Sequence, residues 1–532
     1  MDDLIVIGSG GAGLAAALTA ASCGSKVLAL EASSRWGGST SVSAGEVWVP
    51  ANHLMPELGI PDSVEDALTY CLPYTSESAI QRVRTFLEAA PLMARLVEEF
   101  SPIVWRAMSS PDSFAEAPGG RASGRHLEVS PLMAEHASLL EKKFWMSSYP
   151  PIFTNDEVFE SRLLIGGKFP QALADRRISA QSICTGVGLV HGLMQGCQDH
   201  GVEFERDARV VRLLRSKSAR VCGVVVKRGE IEEEVLCNRG VVLATGGFEW
   251  NDSMQQNLLD RPVSHPVSPP LHLGDGLRMV QEVGGVISGD QESWEWPVGE
   301  RPDQCWPGTQ IPRHELVIAE RCMPHVIWVN ESGRRFVNES SHNCALAINR
   351  SNPDSLVKEN SPVWAIFDQQ YRRRYPLAGA MPSSKLPPQV VSAGSLEALG
   401  REIGVDGLVL SRTVDRFNEM VEQGRDLDFF RGESAYDRHY GDSDSAHPCL
   451  GSIQDPPFFA MPVHLGAVGT KVGALVDERA RVLDARGQTL EGLWAAGNAM
   501  ASIIGPETIA PGLTLGLALT WGYIAGRDAA LL

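Results

Sequence analysis

Gly8-Ser9-Gly10-Gly11-Ala12-Gly13 holds three glycines at the spacing G-x-G-x-x-G. That spacing lets backbone close on a pyrophosphate, and the positive end of the following helix favours its charge. Further on, Glu31 is a carboxylate able to accept from a ribose hydroxyl. Binding of a dinucleotide is the chemistry these residue types support. Three elements must position them. The apolar run Leu4-Ile5-Val6-Ile7 predicts a strand buried on both faces, and the Ala-rich stretch Leu14 to Ser22 predicts a helix. Lys26 to Leu30 predicts a second strand, which delivers Glu31.

More small-residue clusters follow in a set order. Gly37-Gly38-Ser39-Thr40 and Ser43-Ala44-Gly45 come soon after Glu31. Ala244-Thr245-Gly246-Gly247 and Gly492-Leu493-Trp494-Ala495-Ala496-Gly497-Asn498 each end a predicted strand far downstream. Small residues are needed there if backbone passes close to a large flat cofactor. One such cluster would be an ordinary turn; four in this order point to FAD rather than NAD. Pro511-Gly512 opens a mostly apolar terminal helix running to Leu532. Its positive end would stabilise an anionic reduced flavin.

Composition narrows the alternatives. Of 532 residues, 43% are hydrophobic and 21% charged, enough apolar material for a large core and too much for a disordered chain. The net charge of −18 repels phosphate backbones, so no nucleic-acid partner is expected. No apolar run is long enough for an integral membrane segment. Met1-Asp2-Asp3 leads straight into a strand, so no secretory leader is expected and a cytoplasmic location is. Ten scattered cysteines without C-x-x-C are expected to stay as buried thiols. The histidines show no H-E-x-x-H and no i, i+4 pairing with carboxylates, so no metal is expected. Trp105, Trp294, Trp296 and Trp306 fall outside the cofactor motifs, and core packing is the expected role for most of them.

Taken together these motifs resemble the fumarate reductase and succinate dehydrogenase type of FAD flavoproteins. Within it the sequence is similar to the 3-ketosteroid dehydrogenases. That likeness is carried by Gly333-Arg334-Arg335-Phe336-Val337-Asn338-Glu339-Ser340 and Arg431-Gly432-Glu433-Ser434-Ala435-Tyr436-Asp437. It continues through Gly469-Thr470-Lys471-Val472-Gly473 and Pro511-Gly512-Leu513-Thr514-Leu515-Gly516, in register over nearly the whole chain. The resemblance implies an α/β fold: a discontinuous Rossmann-like FAD-binding domain with an inserted α+β catalytic domain that caps it. The expected parts are residues 1–287, 288–446 and 447–532. A loop from Ser113 to Gly124 is expected at the surface, where it could line a substrate entrance. Expected FAD contacts comprise Gly8, Ser9, Gly10, Gly11, Ala12, Gly13, Glu31 and Ala32. Gly38, Ser39, Thr40, Ser43, Ala44, Gly45 and Val210 join them, with Ala244, Thr245, Gly246, Asn498, Thr514 and Leu515 completing the set.

The same resemblance implies dehydrogenation next to a ketone: a base takes an α proton, flavin takes a β hydride, and an oxyanion pocket holds the enolate. Three tyrosines and a glycine N–H do this in the steroid enzymes. Here the glycine is Gly512, while the tyrosine positions hold Thr508, Asn343, and Ser113 or Phe114. Thr508 keeps a hydroxyl for the carbonyl oxygen. Asn343 has no useful pKa as a base. Its neighbour His342, titrating near pH 6.5, is one candidate base, and Glu507 is the other, with a pKa expected to rise against the flavin. Tyr436 and Tyr440 are expected to pack. The expected substrate is a small apolar ketone, steroid-like or a smaller alicyclic, since bidentate arginines for a diacid are missing from the matching positions. An external electron acceptor (quinone, O2 or a flavoprotein) would complete the cycle. Two other readings stand beside this one: an ene-reductase running the reverse reaction, and a flavoprotein that has lost catalysis.

Overall fold

The computed structural model describes residues 2–531 except 135–136, 149–150, 164–166, 349, 351–359 and 383. Its first sheet is built around the two strands expected at the N-terminus, Asp2–Ile7 and Val27–Leu30, which pair in parallel. Leu4, Ile5 and Val6 are fully buried, because a central parallel strand is covered on both faces. Ile231–Leu243 and Thr489–Ala495 extend the parallel sheet on one side, and Glu203–Glu205 extends it on the other. Both downstream glycine clusters therefore leave neighbouring strand ends beside the Gly8 turn.

The terminal helix, Leu513–Ala530, packs on the first helix, Gly11–Ser22. Backbones touch there: a Cβ on Gly522 would lie 2.2 Å from Ala12 O, and one on Gly526 would lie 2.3 Å from Ala16 O. Close backbone packing thus brings the two ends of the chain to one cofactor site.

A second, largely antiparallel sheet runs in the order Pro312–Leu316, Ser293–Cys305, Phe458–Thr470, Val363–Phe367 and Val326–Val329. His265–Pro266 and Val391–Ala393 also pair with Phe458–Thr470. This sheet therefore draws two strands from outside the expected 288–446 insertion. Leu396–Glu402 and Gly407–Glu422 cover one face, closing a core of Ile327, Ile366 and Ala460 against Leu399, Val414 and Phe417.

The Ser113–Gly124 loop departs from expectation at its start. Asp112 and Ser113 are buried, not at the surface. Asp112 accepts from Trp48 Nε1 at 2.8 Å, Arg125 Nη1 at 2.8 Å and the Arg121 N–H at 3.0 Å, which folds the loop inward. All ten cysteines are unpaired; Cys23 and Cys305 are exposed rather than buried. Among the described residues no helix is long and apolar enough to cross a membrane.

Candidate active site

The first turn is held by contacts that tolerate no side chain. Gly8 has φ +107°, and a Cβ there would sit 2.3 Å from Ala244 O; one on Gly13 would sit 1.9 Å from Gly8 O. Glu31 ties this turn together. Its Oε2 accepts from the Ser9 N–H at 3.1 Å and Ser9 Oγ at 2.6 Å, while Oε1 accepts from the Ser33 N–H at 2.9 Å. Ser9 Oγ also accepts from the Gly37 N–H at 3.0 Å, and Thr40 Oγ1 accepts from the Gly11 N–H at 2.9 Å. So Gly37–Thr40 is pinned against the glycine turn. A carboxylate has about four acceptor positions, so Glu31, with three filled, has one left to accept a further donor. Ala32 beside it is exposed, and Val210 is buried two residues beyond Ala208, whose N–H bonds Glu31 O at 3.0 Å. Glu31→Thr should weaken FAD retention roughly tenfold after dialysis; unchanged flavin occupancy would remove the ribose role.

The other predicted contacts converge on the same space. Ser43 Oγ donates to Thr40 O at 2.7 Å and accepts from the Gly45 N–H at 3.1 Å, closing the Ser43–Gly45 turn; Asn155 Nδ2 donates to Ala44 O at 3.0 Å. Asn498, Thr514, Thr470, Ser502, Trp294 and Trp521 line a cavity at the start of the terminal helix. Several buried polar atoms here have no partner: Thr245 Oγ1, Thr470 Oγ1, Trp521 Nε1 and Glu249 Oε2. Orphaned donors and acceptors around a glycine-lined cleft are what a bound polar cofactor would satisfy, so these residues fit FAD.

His272 belongs to this group, although no motif in the sequence surrounds it. Its Nε2 would lie 2.9 Å from a Cβ on Gly246 and 3.8 Å from one on Gly38. Nδ1 lies 2.8 Å from Glu249 Oε1, which also accepts from Ser268 Oγ at 2.7 Å. Burial alone would lower the His272 pKa, but Glu249 outweighs it and raises it; His272 in turn holds Glu249 low against its own burial. An imidazole whose hold on its proton is strengthened in this way, between Gly38 and Gly246, suits an anionic part of the cofactor. Only the neighbouring Gly274-Asp275-Gly276 turn marks the position in sequence.

At the other end of the cleft, three distant segments are knotted together. Asn343 clamps Thr508 at two points: its Oδ1 accepts from the Thr508 N–H at 2.7 Å, and its Nδ2 donates to Thr508 O at 3.1 Å. His342 Nδ1 lies 2.6 Å from Ser113 Oγ, and the Ser113 N–H donates to Ile509 O at 2.9 Å. Lys471 Nζ secures the same loop by donating to Gly505 O and Pro506 O at 2.6 Å and to Glu507 O at 3.2 Å. Burial pushes Lys471 down to about 7 despite the carboxylates of Glu295, Glu292, Asp290 and Glu507 around it.

The two candidate bases sit in different surroundings. His342 is stacked on Tyr436 (ring centroids 5.0 Å) and meets the edge of Trp296 at 4.9 Å. Burial, then the Arg321 guanidinium and His126, hold its pKa well below the ordinary imidazole value, so it does not titrate near 6.5. Arg321 is itself fully buried, over the Trp296 ring at 4.8 Å, with Nη2 donating to Tyr436 OH at 2.8 Å. Tyr436 thus carries a hydrogen bond as well as packing. Glu507 is half-buried and curls back on its own loop, with Oε2 3.8 Å from where a Cβ on Gly505 would be.

Glu46 was not foreseen, because it directly follows Ser43-Ala44-Gly45 and reads as part of that loop. It packs against Gly512, whose φ is +70°; a Cβ on Gly512 would lie 2.9 Å from Glu46 Cγ. Gly512 caps the terminal helix, and its carbonyl accepts from the Trp48 N–H at 3.1 Å. Burial, then Glu128 and Asp156 nearby, raise the Glu46 carboxyl to about 8 against the lowering effect of Ser110, and Oε1 is buried without a partner. A carboxylate of that kind beside a helix N-terminus can move a proton near neutral pH.

Comparison with known proteins places the chain in a family. The FAD binding domain family matches residues 3–515. The chain is 35% identical to 4-oxocyclohexanecarboxylate 2-dehydrogenase of Sinomonas cyclohexanicum, over 99% of this chain and 92% of that protein. It is 32% identical to 3-oxosteroid 1-dehydrogenase of Mycobacterium tuberculosis, over 99% and 98%. Its fold matches 3-ketosteroid delta1-dehydrogenase from Sterolibacterium denitrificans, solved with 1,4-androstadiene-3,17-dione, at TM-score 0.89 and 30% identity, covering 100% of this chain and 99% of that one. The chain thus belongs to the FAD binding domain family, as a 3-ketosteroid dehydrogenase-like, FAD-dependent oxidoreductase.

Proposed function

We propose that this protein desaturates a six-membered cyclic ketone next to its carbonyl. The α carbon loses a proton, the β carbon loses a hydride, and the ring gains a conjugated C=C bond. Bound FAD supplies the hydride acceptor, and an external acceptor later removes the electron pair. Two of the related proteins are named for dehydrogenation of ring ketones, one of a 4-oxocyclohexanecarboxylate and one of a 3-oxosteroid, which supports this reading.

The observation that carries the reading is the packing of Glu46 against Gly512 at the start of the terminal helix. The Gly512 N–H makes no backbone hydrogen bond to a described residue and is available, with Thr508 Oγ1, for a carbonyl oxygen. Developing enolate charge there is favoured by the helix N-terminus. Glu46 takes the α proton, since burial has raised its proton affinity without pairing it to a cation. His342 is the weaker base: Arg321 disfavours the imidazolium it would become. Its role in this reading is to brace Ser113 beside the Thr508–Gly512 loop.

Asn343→Ala removes both clamp bonds and should lower kcat about tenfold while leaving FAD content unchanged. An unaltered kcat would mean that Thr508 is positioned by other contacts. Incubation with 4-oxocyclohexanecarboxylate or a 3-oxosteroid, plus an artificial acceptor, tests the reaction itself. A conjugated enone, seen by its ultraviolet absorption, is expected from at least one; absence of enone from either overturns the proposal.

A further inference from the structure

The second sheet carries a group of side chains that the cofactor site does not use. Its register collects them from separate strands. Glu300 lies opposite His314 in one pair, Val298 lies opposite His464 in the next, and His265 lies opposite Gly466. Residues two apart share a face, so His265, Glu300, His314 and His464 all project from the same side. They meet there. His265 and His464 stack with ring centroids 4.1 Å apart, and His314 meets His265 edge-on at 4.7 Å. His265 Nε2 is 3.2 Å from Glu300 Oε1.

We propose that His265, His464 and Glu300 form a zinc site on this face, with His314 or water as the fourth ligand. The candidate ligand atoms of the three residues all lie within 4.8 Å of one another. Zinc bonds of about 2.0–2.1 Å in a tetrahedron need separations of roughly 3.3 Å, a small contraction for half-buried side chains. Ligand orientation is partly preset. His265 Nδ1 engages Ser264 Oγ at 2.5 Å, leaving Nε2 toward the group, and His314 Nδ1 engages Pro266 O at 2.8 Å. Two neutral imidazoles and one carboxylate suit zinc better than calcium or magnesium.

The metal would act as a clasp and not in the redox chemistry. Seven residues separate His464 from Lys471 and His265 from His272, so both ligand segments lead on to residues of the cofactor cleft. Zinc would join these parallel segments to Ser293–Cys305, which carries Trp294 and Trp296.

Untagged holoenzyme, dialysed against a chelator and titrated with zinc chloride, should bind about one zinc per chain at micromolar or lower concentration. Its apparent melting temperature should rise by about 2 °C at saturation. His464→Ala and Glu300→Gln should each weaken uptake at least tenfold with FAD content unchanged. X-ray absorption at the zinc edge of the native protein should show imidazole and oxygen ligands. Absence of uptake, undiminished uptake by both variants, or sulfur ligation through the exposed cysteines would each overturn the assignment.

Discussion

Glu46→Gln should lower kcat by about 100-fold or more while FAD stays bound. The substitution keeps the shape of the side chain and removes its ability to hold a proton. Because the carboxyl is raised to about 8, its ionised, basic form grows as pH rises through neutrality and dominates above about 8. The wild-type kcat should therefore climb with pH and level off above about 8, and the variant should lack this limb. Stability gives a second readout. A group whose folded pKa exceeds its unfolded value binds more protons when folded, so the native protein loses stability as pH rises from about 4.5 to 8. An amide in place of the carboxyl carries no such dependence, so the melting temperature of the variant relative to wild type should increase over that window. A normal kcat with the pH limb intact would assign proton removal elsewhere.

Gly13→Ala should abolish FAD binding and destabilise the fold by about 3–5 kcal/mol. The new Cβ would lie 1.9 Å from Gly8 O, and Gly8 is itself closely packed, since a Cβ there would lie 2.3 Å from Ala244 O. Relief requires the first helix to lift from the first strand, which widens the turn meant for the pyrophosphate. Gly24→Ala is the control. Gly24 has φ +88° but nothing within 4 Å of an added Cβ, so only backbone strain of about 1–2 kcal/mol is expected, with flavin retained. Flavin content after gel filtration, read with the melting temperature, separates the two. A yellow, stable Gly13→Ala protein would contradict the close packing described for this turn.

How legible this was in sequence depends on how local each feature is. The Leu4–Glu31 unit could be read because strand, glycine turn, helix and acid are contiguous, and each element is specified by its own pattern. The terminal helix was legible for the same reason. The second sheet was not, since His265–Pro266, Ser293–Cys305 and Phe458–Thr470 pair across long separations that no local periodicity records. Catalytic chemistry was legible only as residue type. Asn343 is no base, as its amide dictates, but its clamp on Thr508 is a tertiary fact. His342 looked like an ordinary titrating imidazole until Arg321 and burial were seen beside it. Glu46 was hidden by the reverse effect: its sequence neighbours are cofactor-loop residues, and only packing against Gly512 gives the carboxyl its altered proton affinity.

Transfer of hydride from a ring ketone to FAD can be read by anaerobic mixing. Purified yellow holoenzyme is mixed, without any electron acceptor, with a cyclohexanone carboxylate and separately with a 3-oxosteroid. Stoichiometric loss of the oxidised flavin band is expected with one of them, together with formation of about one conjugated enone per flavin. An oxidised spectrum that persists with both ketones, while dithionite still bleaches the flavin, would contradict it.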